Sequence, residues 1–453
     1  MTRRTGPTGM LGFTIVWIGQ IVSLLGTRMT WFALTIWSYA AAEEAKATVL
    51  AWVWIASFAP TVLLSPIAGA LVDRWNRKLV MMLSDLGAGL MTGVVLLLYA
   101  TGNLQIWHLY LTGAVSAAFQ AFQFPAYSAA VTTMLSKEHY GRASGMMSLA
   151  EGAAGIFGPL AGSLLLVPIG TAGIMAIDVV TFVVAIIALL IVYIPQPEMT
   201  EAGRAGQGNL LKESLYGFTY ILERPSLLGL QLAFLAINLT ATFGFTVLAP
   251  LVLARSGEDE LALGSVQSIM GVGGLVGGLL LSIWGGPKRR VHGVLMGMAL
   301  SSLLGQMVLG LGTGQAVWGI GAFFSSFFIP IINGSNQAIW QAKVAPDVQG
   351  RVFAARRLIA QISILAAAIA GPLADFVFEP AMMPERSLAN TLGWLVGTGP
   401  GAGMALMFTI SGILGTLVGF GGYAFPAVRN AEDILPDHDA VAGKEAAAQT
   451  EAV

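Results

Sequence analysis

Long apolar runs alternate with short polar breaks along almost the whole chain. Charged, Gly/Pro or polar clusters bound twelve such runs: 13–39, 49–72, 79–100, 107–127, 142–167, 173–194, 227–253, 264–284, 291–312, 316–340, 356–378 and 402–424. A helix needs about 20 apolar residues to cross roughly 30 Å of hydrocarbon, and each run meets that length. Lipid leaves only helices or closed barrels as ways to satisfy every backbone polar group, and these runs are too long for barrel strands. The pattern therefore predicts an all-α integral membrane protein with twelve transmembrane helices.

The runs fall into two sets of six, residues 1–194 and 227–424. The fifth run opens with Gly141-Arg142 and continues to "GPLAG" (158–162); the eleventh opens with Gly350-Arg351 and continues to "GPLAD" (371–375). The two spacings differ by about one helical turn. A basic cluster after run two (Arg74–Lys78) has a shorter counterpart after run eight (Lys288–Arg290). Such matching marks predict two pseudo-symmetric six-helix bundles from an internal duplication. Between them lies a polar linker, 195–226. Its stretch "LLKESLYGFTYILER" (210–224) carries apolar positions at helical spacing, which predicts an amphipathic helix on the membrane surface; a plain flexible linker is the alternative. The acidic, alanine-rich tail 425–453 is expected to be disordered.

Composition agrees with a lipid environment. The chain is 56% hydrophobic and 10% charged, with mean hydropathy +0.75, whereas a soluble domain is about 25% charged. A net charge of −1 offers no basic face for nucleic acid. There is no cysteine, which excludes disulfides and thiolate chemistry, and the four histidines are scattered without metal-ligand spacing. No nucleophile–base pair, metal cluster or phosphate loop appears, so neither an enzyme nor a cofactor is expected. The first run is too long for a signal h-region. All basic residues lie on one side of the expected topology except Lys46, Arg255 and Arg386 outside and Arg28 within a span, so both termini are expected in the cytoplasm.

"GALVDRWNRK" (69–78) resembles the signature loop of the major facilitator superfamily: Gly69, Asp73, Arg74, Asn76, Arg77 and Lys78. Asn76 stands where the family usually has glycine, and asparagine tolerates a left-handed backbone better than most residues. With "LGTRMTWFALTIW" (25–37), "GPLAG" and "QGRVFAARRL" (349–358), nearly the whole chain is similar to the drug/proton antiporter branch that includes macrolide-efflux-like proteins. The resemblance implies the major facilitator fold and a gating role for this loop. Asp73 would meet the N-terminus of span eleven as a cytoplasmic latch, while Arg74, Arg77 and Lys78 hold the loop to the anionic leaflet. It implies export of hydrophobic or amphipathic molecules, such as antibiotics, siderophores or other secondary metabolites, by alternating access in the bacterial inner membrane. A lysophospholipid flippase or an uncoupled or importing facilitator of the same fold is the alternative. A sensor or structural scaffold would need a sizeable soluble module, and no segment outside the spans supplies one. The expected partners are a small-molecule substrate, protons and the bilayer, with the chain acting as a monomer.

Ionisable groups inside spans are functional candidates by default. The proton-coupling candidates are Glu151, Asp85 and Asp178. Asp178 and Asp375 lie within a turn or two of the outer boundary, and a structural role suits both. Asp85, close to Arg77 and Lys78, is expected to join the loop network. Glu151 lies near mid-span and shares a face with Gly155, Gly158 and Gly162; with Pro159 these match the family's antiporter-type glycine motif. The motif is expected to seal against span eight, at "GVGGLVGG" (271–278), with Glu151 buried beside it as proton carrier or as a glutamate bonded to a neighbouring helix. Arg28 either binds an anionic substrate group or pairs with an acid. The fourth span carries no arginine, and Thr27 stands where the branch often has an acid, so the residues themselves give proton coupling little support. The resemblance also implies that spans one, four, seven and ten line a substrate cavity. Most span aromatics fall on those four, including Trp31, Phe119, Phe243 and Phe327, with the amides Gln20, Gln120, Gln123, Asn238, Asn333, Asn336 and Gln337. Aromatic faces with a few hydrogen-bonding groups suit bulky amphipathic molecules.

Overall fold

The computed structural model describes residues 6–72, 75–195, 210–345 and 348–437. No strand occurs among them. In chain order the helices are α1 (Gly9–Ala41), α2 (Lys46–Val72), α3 (Arg77–Ala100), α4 (Ile106–Met134), α5 (Tyr140–Ile191), α6 (Leu210–Leu222), α7 (Pro225–Thr246), α8 (Leu248–Ser256), α9 (Glu260–Trp284), α10 (Arg290–Leu311), α11 (Gln315–Phe327), α12 (Ile329–Lys343), α13 (Gln349–Gln361), α14 (Ile364–Leu373), α15 (Ser387–Val396) and α16 (Ala402–Gly421). Among the described residues ten helical segments are long and apolar enough to cross a membrane. The expected twelve crossings need two further facts. The 50-residue segment Arg142–Ile191 is bent at Gly170 (φ 68°, ψ 177°), two residues after Pro168, and so supplies length for two crossings. Helix α4, at 29 residues, is long enough but less apolar, and is the run that the ten leave out.

Helix starts follow local chemistry. The Asn76 side chain accepts the Leu79 N–H at 3.1 Å and caps α3. Its φ of −65° is not the left-handed conformation expected there; a cap requires an extended residue. At the start of α4, Gln105 and His108 form a reciprocal capping box, with His108 Nδ1 accepting the Gln105 N–H at 3.0 Å. Gly257, in the left-handed region at φ 72°, ends α8.

The chain divides into two compact units. The first holds Met1–Met199 together with Thr246–Gly271 and Ala367–Met383; the second holds Thr200–Phe245, Val272–Ala366 and Pro384–Val453. In the first, α5 packs along α1 on both sides of its bend. Before the bend, Gly158 faces Arg28 and Gly162 faces Phe32; after it, Ala185 and Ala188 lie against Gly19, and Asp178 and Thr181 against Gly26. In the second, Gly412, Gly415 and Gly419 let α16 approach α10 at Met307, Ser302 and Ala299. Its core gathers Trp340, Leu227, Leu230, Val294 and Ile221.

Two peripheral expectations change. Helix α6 forms within the stretch expected to be amphipathic, and it packs on protein: a Cβ at Gly217 would lie 2.3 Å from the Arg351 carbonyl oxygen of α13, and Ile221 is buried. Residues 425–437, part of the tail expected to be disordered, instead make two short helical turns, Pro426–Arg429 and Ala431–Ile434. Lys343 binds them by donating to the Glu432 and Leu435 carbonyls and pairing with Asp437 at 2.8 Å, while Arg289 pairs with Asp433. The remaining tail, 438–453, and the linker residues 196–209 lie outside the described residues.

Candidate functional site

The polar groups of the first unit form three separate arrangements. The first joins α1, α3 and α4. Asp85, 5% exposed, accepts from Gln20 Nε2 at 2.8 Å and from Gln123 Nε2 at 2.9 Å, and Gln123 also donates to Gln20 Oε1 at 3.0 Å. Asp85 was expected in the loop network and the two glutamines in the substrate cavity. The structure ties them to one another instead, because a carboxylate needs donors once it leaves water and both amides reach it.

The second arrangement is the pair Arg28–Glu151, 3.4 Å apart between α1 and α5. Arg28 therefore pairs with an acid, one of its two expected fates. Glu151 was expected to be buried, yet its side chain is 65% exposed. Gly158 brings Arg28 against α5, with a Cβ at 158 falling 2.4 Å from Arg28 Cβ, and the guanidinium meets Glu151 two turns away. An exposed pair of this kind adds about 1 kcal/mol or less to stability, so its charges are free to exchange partners.

The third is a pocket among α1, α2, α3, α4 and the second part of α5, lined by Trp31, Gln120, Phe182 and many hydroxyls. Asp178 forms part of its wall and is 1% exposed. Thr27 and Thr92 hydroxyls each stand 3.4 Å from one of its carboxylate oxygens, and Thr181 donates to its backbone carbonyl at 2.7 Å. Thr30, Ser57, Thr112 and Ser116 line the same space. Sequence reasoning singled out the acid and overlooked the hydroxyls. Thr27 and Thr30, three apart on one helix face inside an apolar run, were the available signal.

The glycine motif divides its partners. Gly271 approaches α5 at Gly155 and Ile156, Gly264 approaches Ser163 and the Pro159 carbonyl, and Ser268 donates to the Ile156 carbonyl at 2.8 Å. This much of the expected contact with span eight is present. Gly158 and Gly162, however, make room for α1, and Gly273 and Gly277 lie against the Phe323 and Phe327 carbonyls in the second unit. In the loop, Gly69 lies in the last turn of α2, and Asp73 and Arg74 lie outside the described residues. Arg77 donates to the Ala129 carbonyl at 2.7 Å, and Lys78 to the Leu190 and Val192 carbonyls at 3.0 and 2.8 Å.

The expected cavity residues also separate. Gln120, which donates to Ser116 at 3.1 Å, and Trp31 face the pocket beside Asp178. Phe119 packs over Gly87. In the second unit Asn336 is fully buried and accepts from Trp340 Nε1 at 3.0 Å. Gln337 accepts from Arg356 at 2.9 Å, and Phe327 belongs to a ring cluster with Phe323, Phe324 and Phe328. Asn238 and Phe243 are half-buried and Asn333 is exposed.

Comparison with known proteins agrees with this architecture. A family profile described as Major Facilitator Superfamily matches residues 16–368. The chain is 26% identical over 351 residues to "Macrolide efflux protein A" of Streptococcus pyogenes, covering 76% of this chain and 84% of that one. It is 26% identical over 304 residues to "Macrolide efflux protein A" of Enterococcus faecalis, covering 65% and 91%. A solved bacterial homolog to the human lysosomal transporter Spinster, in an inward-facing and occupied conformation, aligns with TM-score 0.64 at 13% identity over 90% of this chain and 94% of that one. The human organic anion transporter MFSD10 aligns with TM-score 0.51 at 17% identity, covering 90% and 98%. At such identities these structures show a shared fold.

Proposed function

The chain belongs to the Major Facilitator Superfamily, and from that premise we propose that it exports hydrophobic or amphipathic small molecules, macrolides among them, in exchange for protons. The observation that carries this reading is the similarity to two macrolide efflux proteins, each over most of its own length. Within it, the chain acts as a monomer in a bacterial cytoplasmic membrane with both termini inside. The orientation with both termini inside is supported by the basic residues gathered in the expected cytoplasmic segments.

Within this reading Glu151 is the acid that exchanges the proton. Its side chain is exposed and its counter-ion is a single guanidinium. Protonation of Glu151 discharges the pair and releases Arg28; deprotonation restores it. That makes an interaction whose strength depends on the proton, which is what coupling requires. Asp85 is less suited, because two amide N–H donors already serve its carboxylate.

Inside-out vesicles carrying the protein provide the test, with uptake of a labelled macrolide followed under an imposed proton gradient. The reading expects accumulation that collapses when the gradient is dissipated. Glu151→Gln should retain macrolide binding and lose gradient-driven accumulation. Accumulation that ignores the gradient would remove proton exchange while leaving the family assignment in place.

A further inference from the structure

We propose that Asp178 and the threonine hydroxyls around it form a binding site for one sodium ion inside the first unit, apart from the Arg28–Glu151 pair. The site stands independently of the export reading, since sodium binding by the purified protein is measured without transport.

Charge comes first. Asp178 is almost completely buried among apolar helices, and no ion pair among the described residues includes it. A buried carboxylate without a counter-charge is costly, and a single bound monovalent cation removes that cost.

Spacing comes second. Oxygen–hydrogen donors to a carboxylate normally settle at about 2.5–2.7 Å. Thr27 and Thr92 stand off at 3.4 Å from Oδ1 and Oδ2, one on each side of the carboxylate. A hard cation of calcium's size, which sodium matches, holds oxygens at about 2.4 Å, and adjacent ligands of an octahedron then lie about 3.4 Å apart. The observed gaps are long for hydrogen bonds to a carboxylate and match the spacing of oxygens around such an ion.

A third donor is idle. Thr30 Oγ1 is buried, has no hydrogen-bond partner, and lines the same pocket one helical turn from Thr27. A buried hydroxyl without a partner is uncommon in folded proteins, and an ion in the pocket would give its oxygen lone pair a role. Thr181 donates its proton to the Asp178 carbonyl, which leaves its oxygen lone pairs available as well. Gly26 completes the cradle: a Cβ there would come within 2.8 Å of Asp178 Oδ1 and 2.4 Å of the Thr181 hydroxyl, so glycine leaves the carboxylate room against α1.

The donor set selects the ion. All-oxygen ligands favour hard cations over soft ones. One carboxylate balances one positive charge, which favours a monovalent ion over Ca²⁺ or Mg²⁺, both of which usually draw on more acids. A proton would satisfy the same charge, and the test below separates the two.

The test uses full-length protein in nanodiscs, with ²²Na⁺ binding measured at constant ionic strength in choline chloride. We expect saturable binding of one ion per chain, displaced by unlabelled sodium and not by choline. Asp178→Asn should abolish it. Thr30→Val, which keeps shape and removes the oxygen, should weaken it about tenfold, and Thr30→Ser should restore it. Absence of displaceable ²²Na⁺ overturns the proposal, as does wild-type binding in Thr30→Val. A pH-dependent change in tryptophan fluorescence that is identical in sodium and in choline also overturns it, since that result assigns the site to a proton.

Discussion

The carboxylate of Asp375 accepts the backbone N–H of Thr48 at 2.6 Å through Oδ2 and that of Ala47 at 3.2 Å through Oδ1. Helix α2 is thus capped by an acid 327 positions further along the chain. An acid at a helix N-terminus meets unsatisfied N–H groups and the positive end of the dipole. Gly371, one turn earlier, allows the contact: a Cβ there would lie 2.7 Å from Thr48 Cα. Lys46 next to the cap pairs with Glu258 at 3.1 Å and covers the Tyr39 ring. All of these residues belong to the first unit.

Asp375→Ala should therefore destabilise the protein by about 0.5–2 kcal/mol, the usual cost of a lost cap. The check is a thermal melt of the purified protein in one detergent. Asp375→Asn, which keeps an acceptor for one of the two N–H groups, should fall between Ala and wild type. If both variants melt with wild type, the cap contributes nothing.

The amide cluster around Asp85 gives a second expectation. Gln123→Leu removes one of the two amide donors to a buried carboxylate and should cost about 1–3 kcal/mol. Asp85→Ala leaves both amides without their acceptor and should cost a similar amount. The double variant should cost less than the sum of the two, because the groups act as one network. Denaturant titration of the four proteins reads the coupling; simple additivity would mean that the network is absent.

The third expectation separates two readings of Asn76. A left-handed turn position would welcome glycine, whereas a cap loses only a few tenths of a kcal/mol with glycine and about 1 kcal/mol with alanine. The observed φ of −65° and the 3.1 Å bond from Leu79 favour the cap. Asn76→Asp should then preserve the melting midpoint, and Asn76→Ala should lower it. A midpoint raised by Asn76→Gly would restore the turn.

These cases show what was legible in the sequence. Apolar length revealed the helices because each must bury its own backbone polar groups, whatever its neighbours do. The repeat "GPLAG" and "GPLAD" was visible as text, but not that Gly158 and Gly162 would face α1 while Gly371 and Asp375 would face the start of α2. Partner choice depends on which helix lies opposite, and the four residues the two motifs share carry no record of that. The acids were legible as unusual residues in apolar runs; their partners were not, since Gln20, Gln123 and Thr92 meet them from helices far along the chain. The Asp178 hydroxyls escaped notice because threonine is common enough in spans to look bland until several converge.

The glycine motif supplies a final expectation, in which neighbouring glycines of one motif behave differently. A Cβ at Gly158 would sit 2.4 Å from Arg28 Cβ, whereas one at Gly155 would meet nothing within 4 Å. Gly158→Ala must therefore push α1 away from α5 and should cost about 1–3 kcal/mol, the range for overpacking a tight contact. The same shift lengthens the Arg28–Glu151 distance, so under the proposed proton exchange accumulation should weaken along with stability. Gly155→Ala should leave both near wild type, and should gain slightly from reduced backbone freedom in the unfolded chain. Thermal melts and vesicle uptake of the two variants, measured side by side, decide the matter. Equal damage from both would mean that the motif works as a flexible unit, and that close approach at Gly158 is not what requires glycine there.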